Sequence, residues 1–476
     1  MLGIVWSEDE VPTHHDDMLV VRVKPSAAST MRHVSARAPE MRRDAPGLSA
    51  LARMERSGHL AHIHALDGRA HAKLAAGRSV ADSIRAAARH HVAGLKHTGA
   101  MILRVTHARH LSRLRESLKR DPHLEWVAPV PARYLFASRG ATSASKAPGD
   151  ADMPALRMWN HKAVRLAEAR ALPRFREPRR IHVAVIDSGV DLGHPALHGR
   201  VRRYVHRFGA HHTSPLDIVG HGTHVTGIIA ARQNALGVGG MCTCRVSVYK
   251  VFDAETYLVR GLGKPLRLYL VDPILYRAAL ANCLEDRVDV INMSLGGAAP
   301  PDPHEEALFE HLIESGSVIV SAMGNAFTHR DRASYPAAIP GVIAVGALKQ
   351  DGSAANFSCT GRHITLCAPG VDIWSTLPFY DGGFGFNATK SGQRSLASFN
   401  PLERNTRYDS WPGTSMACPQ VTAAVAMLLA TRGKLSPAEV KRRLMRTADR
   451  LPGMRGRRFT ATFGGGRLNL VRLLSE

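Results

Sequence analysis

The chain is poor in cysteine, aromatic side chains and acid. Six cysteines in 476 residues, Cys242, Cys244, Cys283, Cys359, Cys367 and Cys418, are too few and too irregular for a disulfide framework, so free buried thiols are expected. Cys242-Thr243-Cys244 lacks the second cluster and the His spacing of a structural zinc site. Aromatics make up 6% of the chain, and no basic stripe interleaved with them appears. Nucleic-acid binding is therefore disfavoured, although Lys+Arg outnumber Asp+Glu by 63 to 40 for a net +23. No apolar run reaches the roughly 20 residues of a membrane span. Met1 to Asp17 carries Glu8, Asp9, Glu10, Asp16 and Asp17 and has neither a basic n-region nor an apolar h-region. It reads as an acidic tail and not as a signal peptide, which points to a cytoplasmic setting.

What is present divides the chain. Met18 to Lys24 reads as a strand, Leu48 to Leu66 and Ser79 to Leu95 as helices, and Ala100 to Thr106 as a second strand. His107 to Arg120 places Leu111, Leu114 and Leu118 at helical spacing, and Leu124 to Val127 is extended again. Together these make residues 18–137 a small α/β sandwich domain behind a tail of residues 1–17. Residues 138–157, rich in Ala, Ser, Gly and Pro, are a linker. From residue 158 to 476, apolar strands (Ile181–Ile186, Val246–Phe252, Val288–Met293, Val318–Ser321, Val342–Val345) alternate with helices. That is the signature of a mostly parallel sheet with helices on both faces. Trp159 to Ala171 is expected as one helix. Ala254 to Leu270 is a long, basic excursion, and Asp381 to Tyr408 is a polar insertion.

Three segments carry chemistry. Val185-Ile186-Asp187-Ser188-Gly189 ends a strand on a carboxylate. Gly220-His221-Gly222-Thr223-His224 opens a helix on an imidazole. Gly413-Thr414-Ser415-Met416-Ala417 runs a small-residue turn into an Ala-rich helix, with a hydroxyl where free N–H groups favour developing negative charge. Ser415 alone reads equally well as an N-cap. The acid, imidazole and hydroxyl together, in the order Asp, His, Ser, make a hydrolytic triad, and that chain order separates it from other triads of the same geometry. His224 and Asp191 are expected to be structural, since His221 and His224 lack the Glu of a zinc-binding His-Glu-x-x-His.

These motifs resemble those of the subtilisin-like serine proteases, over most of Trp159 to Leu470. The resemblance implies Ser415 as nucleophile, His221 as general base and acid, Asp187 as the group that orients the ring, and Asn325 as an oxyanion donor beside the Ser415 amide. It implies that Ser294, Leu295, Gly296 and Gly297 pair with extended substrate, and that Tyr335, Pro336 and Ala337 form the opposite wall of the first specificity pocket. With no acid in either motif, that pocket is expected to prefer apolar or aromatic side chains over Lys and Arg. Arg232 to Val238 resembles a calcium loop, with Asn234, Leu236 and Val238 as ligands, and reads more readily as a plain surface turn, since Asn234 is the one side-chain ligand it offers. No cofactor is required for the chemistry. Residues 100–127 resemble the later part of an inhibitory prodomain, whose tail (Tyr134, Leu135, Phe136) would enter the cleft. The expected partners are protein or peptide substrates and this intramolecular N-terminal domain. The rival readings are a latent protease recruited mainly as an interaction module, and a basic nucleic-acid-associated protein.

Overall fold

The structure, a computed structural model, describes residues 3–5, 11–24, 60–65, 100–122, 124–136, 158–206, 215–233, 238–259, 266–325, 333–380 and 408–476. The expected linker, the helix at Ser79–Leu95, nearly all of the Asp381–Tyr408 insertion, and Asn234 and Leu236 lie outside the described residues.

The N-terminal part contains β1 (Gly3–Val5), β2 (His14–Val23), β3 (Leu60–Ala65), β4 (Ala100–Val105), α1 (Leu111–Lys119), β5 (Leu124–Pro131) and β6 (Tyr134–Phe136). An antiparallel sheet of order β3-β4-β2-β5 forms here, with α1 packed on β2 and β5. Two expectations change. β2 begins at His14, inside the segment read as a tail. Leu60–Ala65, read as the end of a helix, is a strand paired antiparallel with β4, because pairing with a neighbouring strand overrides the local helix propensity of Leu and Ala.

The larger part is an α/β fold. Its seven-stranded sheet has the order β15-β14-β13-β12-β7-β9-β8 and every pairing is parallel. The strands are β7 (His182–Asp187), β8 (Val201–Val205), β9 (Arg245–Lys250), β12 (Val290–Met293), β13 (Val318–Ala322), β14 (Ile343–Leu348) and β15 (Ile364–Pro369). β7, β12, β13 and β14 are apolar almost throughout because helices cover both faces, leaving no alternation to read. β8 is an edge strand of the sheet, in a stretch with no strand among those read from the sequence. Trp159–Ala163 (α2) and Leu166–Arg170 (α3) replace the single expected helix, since Arg165 between them is left-handed at φ 61°.

The other helices are α4 (His221–Ala230), α5 (Pro273–Glu285), α6 (Pro303–Glu314), α7 (Thr414–Arg432), α8 (Pro437–Thr447) and α9 (Leu470–Ser475). α7 is the central one. It is long and apolar enough to cross a membrane, contrary to the expectation that no run would be, yet 89% of that stretch is buried against the sheet. It is a core helix. α5 and α6 cover the opposite face, each starting at a Pro behind an Asp whose side chain accepts two backbone amides (Asp272, Asp302).

The long basic excursion is a hairpin, β10 (Phe252–Val259) and β11 (Leu266–Val271). N-terminal strands add to both of its edges: β1 pairs parallel with β10, and β6 pairs antiparallel with β11. β6 also meets the main domain on its other side. The Tyr134 amide donates to Gly296 O at 2.7 Å and the Gly296 amide donates to Tyr134 O at 3.0 Å. The N-terminal chain is thus a strand between two edges of the larger domain.

Candidate active site

In open α/β sheets, side chains meet at the carboxyl ends of the strands, where the chain order reverses. β7 is central and its neighbours β9 and β12 follow on opposite sides, so the reversal falls at Asp187. Asp187 is fully buried at the end of β7. Its Oδ1 accepts from His221 Nδ1 at 2.7 Å and from the Ser188 amide at 2.7 Å. A carboxylate only accepts, so Nδ1 carries the proton and Nε2 of the neutral ring is the basic nitrogen.

His221 is the first residue of α4, and a second carboxylate sets its position. Asp217 Oδ1 accepts from Ser188 Oγ (2.8 Å) and the Gly220 amide (2.9 Å), while Oδ2 accepts from the Thr223 amide (2.8 Å) and hydroxyl (2.6 Å). Asp217 therefore caps α4 and ties it to the end of β7. A Cβ at Gly222 would stand 2.1 Å from Gly189 O, so glycine alone permits this close approach. Neither Asp217 nor Trp411 was singled out in the sequence. Asp217 carried a signal, an acid four residues ahead of a helix-opening His; Trp411, from β17 (Tyr408–Trp411), which pairs antiparallel with β16 (Ile373–Thr376), carried none. Its ring stacks on His221 at 6.4 Å and on His224 at 4.7 Å. His224 Nε2 bonds Asp409 O, and burial pushes its imidazole down to about 3, so it stays neutral, in keeping with a packing role. Asp191 accepts from the Gly193 and Phe379 amides and holds a loop.

Ser415 lies in the first turn of α7 and is 6% exposed. Its hydroxyl donates to Ser294 O at 3.2 Å, and Ser294 Oγ donates to Ser415 O at 3.0 Å. Ser294 follows directly on β12. Asn292, on that strand, receives Thr422 Oγ1 at 2.8 Å and anchors the next turns of α7. The structure thus brings Asp187 and His221 into one bonded pair, and α4 and α7 pack together.

Asn325 lies just after β13. Its Oδ1 accepts from the Thr414 amide (2.9 Å) and hydroxyl (2.7 Å), which turns Nδ2 the other way. A Cβ placed on Gly413 would lie 3.4 Å from Asn325 Nδ2 and 3.6 Å from the Ser415 nitrogen. Two donors therefore border one small space that glycine leaves open. Gly297 and Tyr335 exchange backbone hydrogen bonds at 2.8 and 2.9 Å, joining the two segments expected to wall the first pocket. Leu295 and Ala337 are buried beneath, and Pro336 is buried beside Tyr335. Val238 is buried, and among the described residues no group of three or more His, Cys, Asp or Glu side chains gathers to hold a metal. All six cysteines are free and buried; burial pushes the Cys418 thiol, beneath Asn292, up to about 12.

A parallel α/β sheet with a buried Asp–His pair at its carboxyl edge defines a serine-protease-like hydrolase architecture. The sequence model of the Subtilase family matches residues 179–466, and the chain belongs to that family. Subtilisin E of Bacillus subtilis (strain 168) is 33% identical over 275 residues, which is 57% of this chain and 61% of that protein. The major intracellular serine protease of the same strain is 31% identical over 280 residues, 56% of this chain and 76% of that protein. The chain thus spans about three fifths of the length of subtilisin E. The crystal structure of fervidolysin from Fervidobacterium pennivorans shares the fold at a TM-score of 0.63 and 21% identity, over 100% of this chain and 63% of that one.

Proposed function

We propose that the chain is a serine endopeptidase that cleaves protein or peptide substrates through an acyl-enzyme on Ser415, and that residues 18–137 act as an inhibitory domain joined by the 138–157 linker to a peptidase domain at 158–476. The observation that carries the reading is the 2.7 Å bond between Asp187 and His221, packed through Trp411 against the segment that leads into Ser415. Ser415 Oγ turns from Ser294 O toward the imidazole, loses its proton to Nε2 and attacks the carbonyl carbon. Asp187 stabilises the cation that forms. The oxyanion takes hydrogen bonds from Asn325 Nδ2 and the Ser415 amide, the imidazolium protonates the leaving amine, and water then hydrolyses the ester.

Latency is supported by β6, which fills the gap between β11 and Gly296 as an added strand, the way an extended substrate would be held. A Cβ at Gly297 would lie 2.2 Å from Ala132 O, so the tail lies directly on that glycine. The first pocket is proposed to take apolar or aromatic side chains at Ser294–Gly297 and Tyr335–Ala337. A cytoplasmic site of action fits the free thiols and the relative whose name calls it intracellular. A calcium ion at Asn234, Leu236 and Val238 rests on the resemblance of that loop; a lower thermal midpoint in EDTA would support it. The decisive experiment is casein hydrolysis by wild type and Ser415→Ala. Activity is expected to vanish in the variant while its circular dichroism is unchanged, and surviving activity would overturn the assignment.

A further inference from the structure

Arg133 belongs to the N-terminal region, yet its side chain is buried in the larger domain. Its Nη2 and Nε bond the two oxygens of Glu305 at 2.8 and 3.2 Å, and its Nη1 donates to Ala299 O at 2.8 Å. The Arg133 and Glu305 side chains are 2% and 1% exposed. Tyr276 OH donates to Glu305 Oε1 at 3.0 Å, and burial together with that carboxylate pushes the phenol well above its ordinary range. The neighbouring carboxylate, Asp302, is taken by Arg277. Among the described residues Arg133 is therefore the one cation paired with Glu305. Glu305, Tyr276 and Ala299 all come from the larger domain, so the pocket is complete without the N-terminal region except for its cation.

The backbone gives the pocket an address. Tyr134 pairs antiparallel with Gly296, so each step from Tyr134 toward Phe136 is a step from Gly296 toward Ser294, whose carbonyl holds the Ser415 hydroxyl. Phe136 then falls opposite Ser294, and Arg133 stands three residues upstream of it. Arg133 O accepts from the Val271 amide at 2.9 Å, so its backbone is also held in the strand array. Side chains alternate along an extended chain. Accordingly, Tyr134 points back to the N-terminal region, its hydroxyl on Pro12 O, while Leu135 packs into the larger domain's core.

We infer that this pocket is a substrate subsite selecting arginine at the fourth residue on the amino side of the cleaved bond, with Glu305 as its specificity residue. The inference rests on the endopeptidase reading and on β6 occupying the substrate path. When the tail leaves, Glu305 loses its counter-ion beside the buried Tyr276 hydroxyl, a costly state that an incoming guanidinium relieves. The fork geometry, two parallel bonds to the carboxylate and a third to Ala299 O, fits arginine and not lysine.

The test uses internally quenched peptides X-Tyr-Leu-Phe-Ala-Ser with X as Arg, Lys, Ala or Glu, hydrolysed by the purified full chain and by Glu305→Gln. The Arg peptide is expected to exceed the Ala peptide by about tenfold or more in kcat/KM, with Lys between them and Glu slowest. In Glu305→Gln the Arg-to-Ala ratio is expected to fall to near one. If the variant fails to fold, competitive inhibition of wild-type casein hydrolysis by Arg-Tyr-Leu-Phe and Ala-Tyr-Leu-Phe gives the same comparison, with the Arg peptide about tenfold tighter. Equal values for Arg and Ala overturn the subsite and leave Arg133–Glu305 a docking contact, while cleavage of both peptides preserves the endopeptidase reading. Failure of wild type to cut casein and every peptide would remove that reading and this inference with it.

Discussion

Ser294 and Ser415 bond each other twice: each hydroxyl donates to the other's carbonyl, at 3.0 and 3.2 Å. The cause lies one turn on. Pro419, inside α7, has no amide to give Ser415 O, and Ser294 Oγ takes that place. The bond joins the end of β12 to the first turn of the helix and so fixes the serine backbone relative to the substrate edge. Ser294→Ala should leave a buried carbonyl unpaired and cost about 1–3 kcal/mol in urea unfolding. In a Pro419→Ala background, where residue 419 regains its N–H, the same change should cost under half as much. Equal costs in both backgrounds would show that Pro419 has no part in the pairing.

The space bordered by Asn325 Nδ2, the Ser415 amide and Gly413 carries the proposed oxyanion site. Asn325→Leu should lower kcat by about 10²–10³ with KM changed little, because the bond forms only as charge develops. Thr414 also loses a cap, so a modest drop in thermal midpoint should accompany it. Gly413→Ala fills the same space from the other side and should lower kcat similarly, with a lower thermal midpoint as well, because φ 154° strains any residue with a Cβ. A kcat within a factor of three of wild type in both variants would put the oxyanion elsewhere.

Residues whose chemistry is written in their immediate neighbours were legible in the sequence. Asp187 ends an apolar run, His221 opens a helix between glycines, and Ser415 sits in a small-residue turn, so type and local geometry arrive together. The alternation that places them on one sheet edge was legible for the same reason. Residues that act through distant partners were not. Arg133 and Glu305 are 172 positions apart, and nothing near either one marks it as half of a buried pair. The basic excursion at 254–270 gives no sign in the sequence that the buried pocket beside it is acidic. Trp411 backs the imidazole only because the fold returns β17 there. Leu60–Ala65 was misread because its conformation is imposed by β4, not by its own composition.

Acid should loosen the N-terminal region. Burial pushes the His15 imidazole from its ordinary 6.5 down to about 3, and His14 shifts the same way. Arg277, Arg104 and Arg133 face His15 and act in the same direction, while Asp272 opposes them. A docked His15 therefore refuses a proton that the released one accepts between those values. Its contribution to docking is complete above pH 6.5 and declines by about 1.4 kcal/mol per pH unit as pH falls toward 3. Latency in the Ser415-intact protein, read as lag before peptide hydrolysis, should be markedly shorter at pH 5.5 than at 7.5, and His15→Leu should flatten the difference. Equal lags in wild type would refute the docking role of His15.

The register of β6 predicts where the chain cuts itself. Extending the Tyr134–Gly296 pairing by two residues sets Phe136 opposite Ser294, whose carbonyl holds the Ser415 hydroxyl, so the bond after Phe136 is the expected cut, and a first pocket with no acid in its walls is expected to accept an aromatic residue at that position. Purified wild-type protein should yield a fragment ending at Phe136 and a partner beginning at Ala137, both visible by intact mass. Ser415→Ala should remain one chain of 51.7 kDa. Gly297→Ala, whose Cβ would meet Ala132 O, should displace the tail, slowing the cut at this bond and weakening latency together. A terminus within the 138–157 stretch instead, with Phe136–Ala137 intact, would mean that β6 is not the strand presented to Ser415, and a cut after Phe136 in the Ser415→Ala protein would mean that another protease makes it.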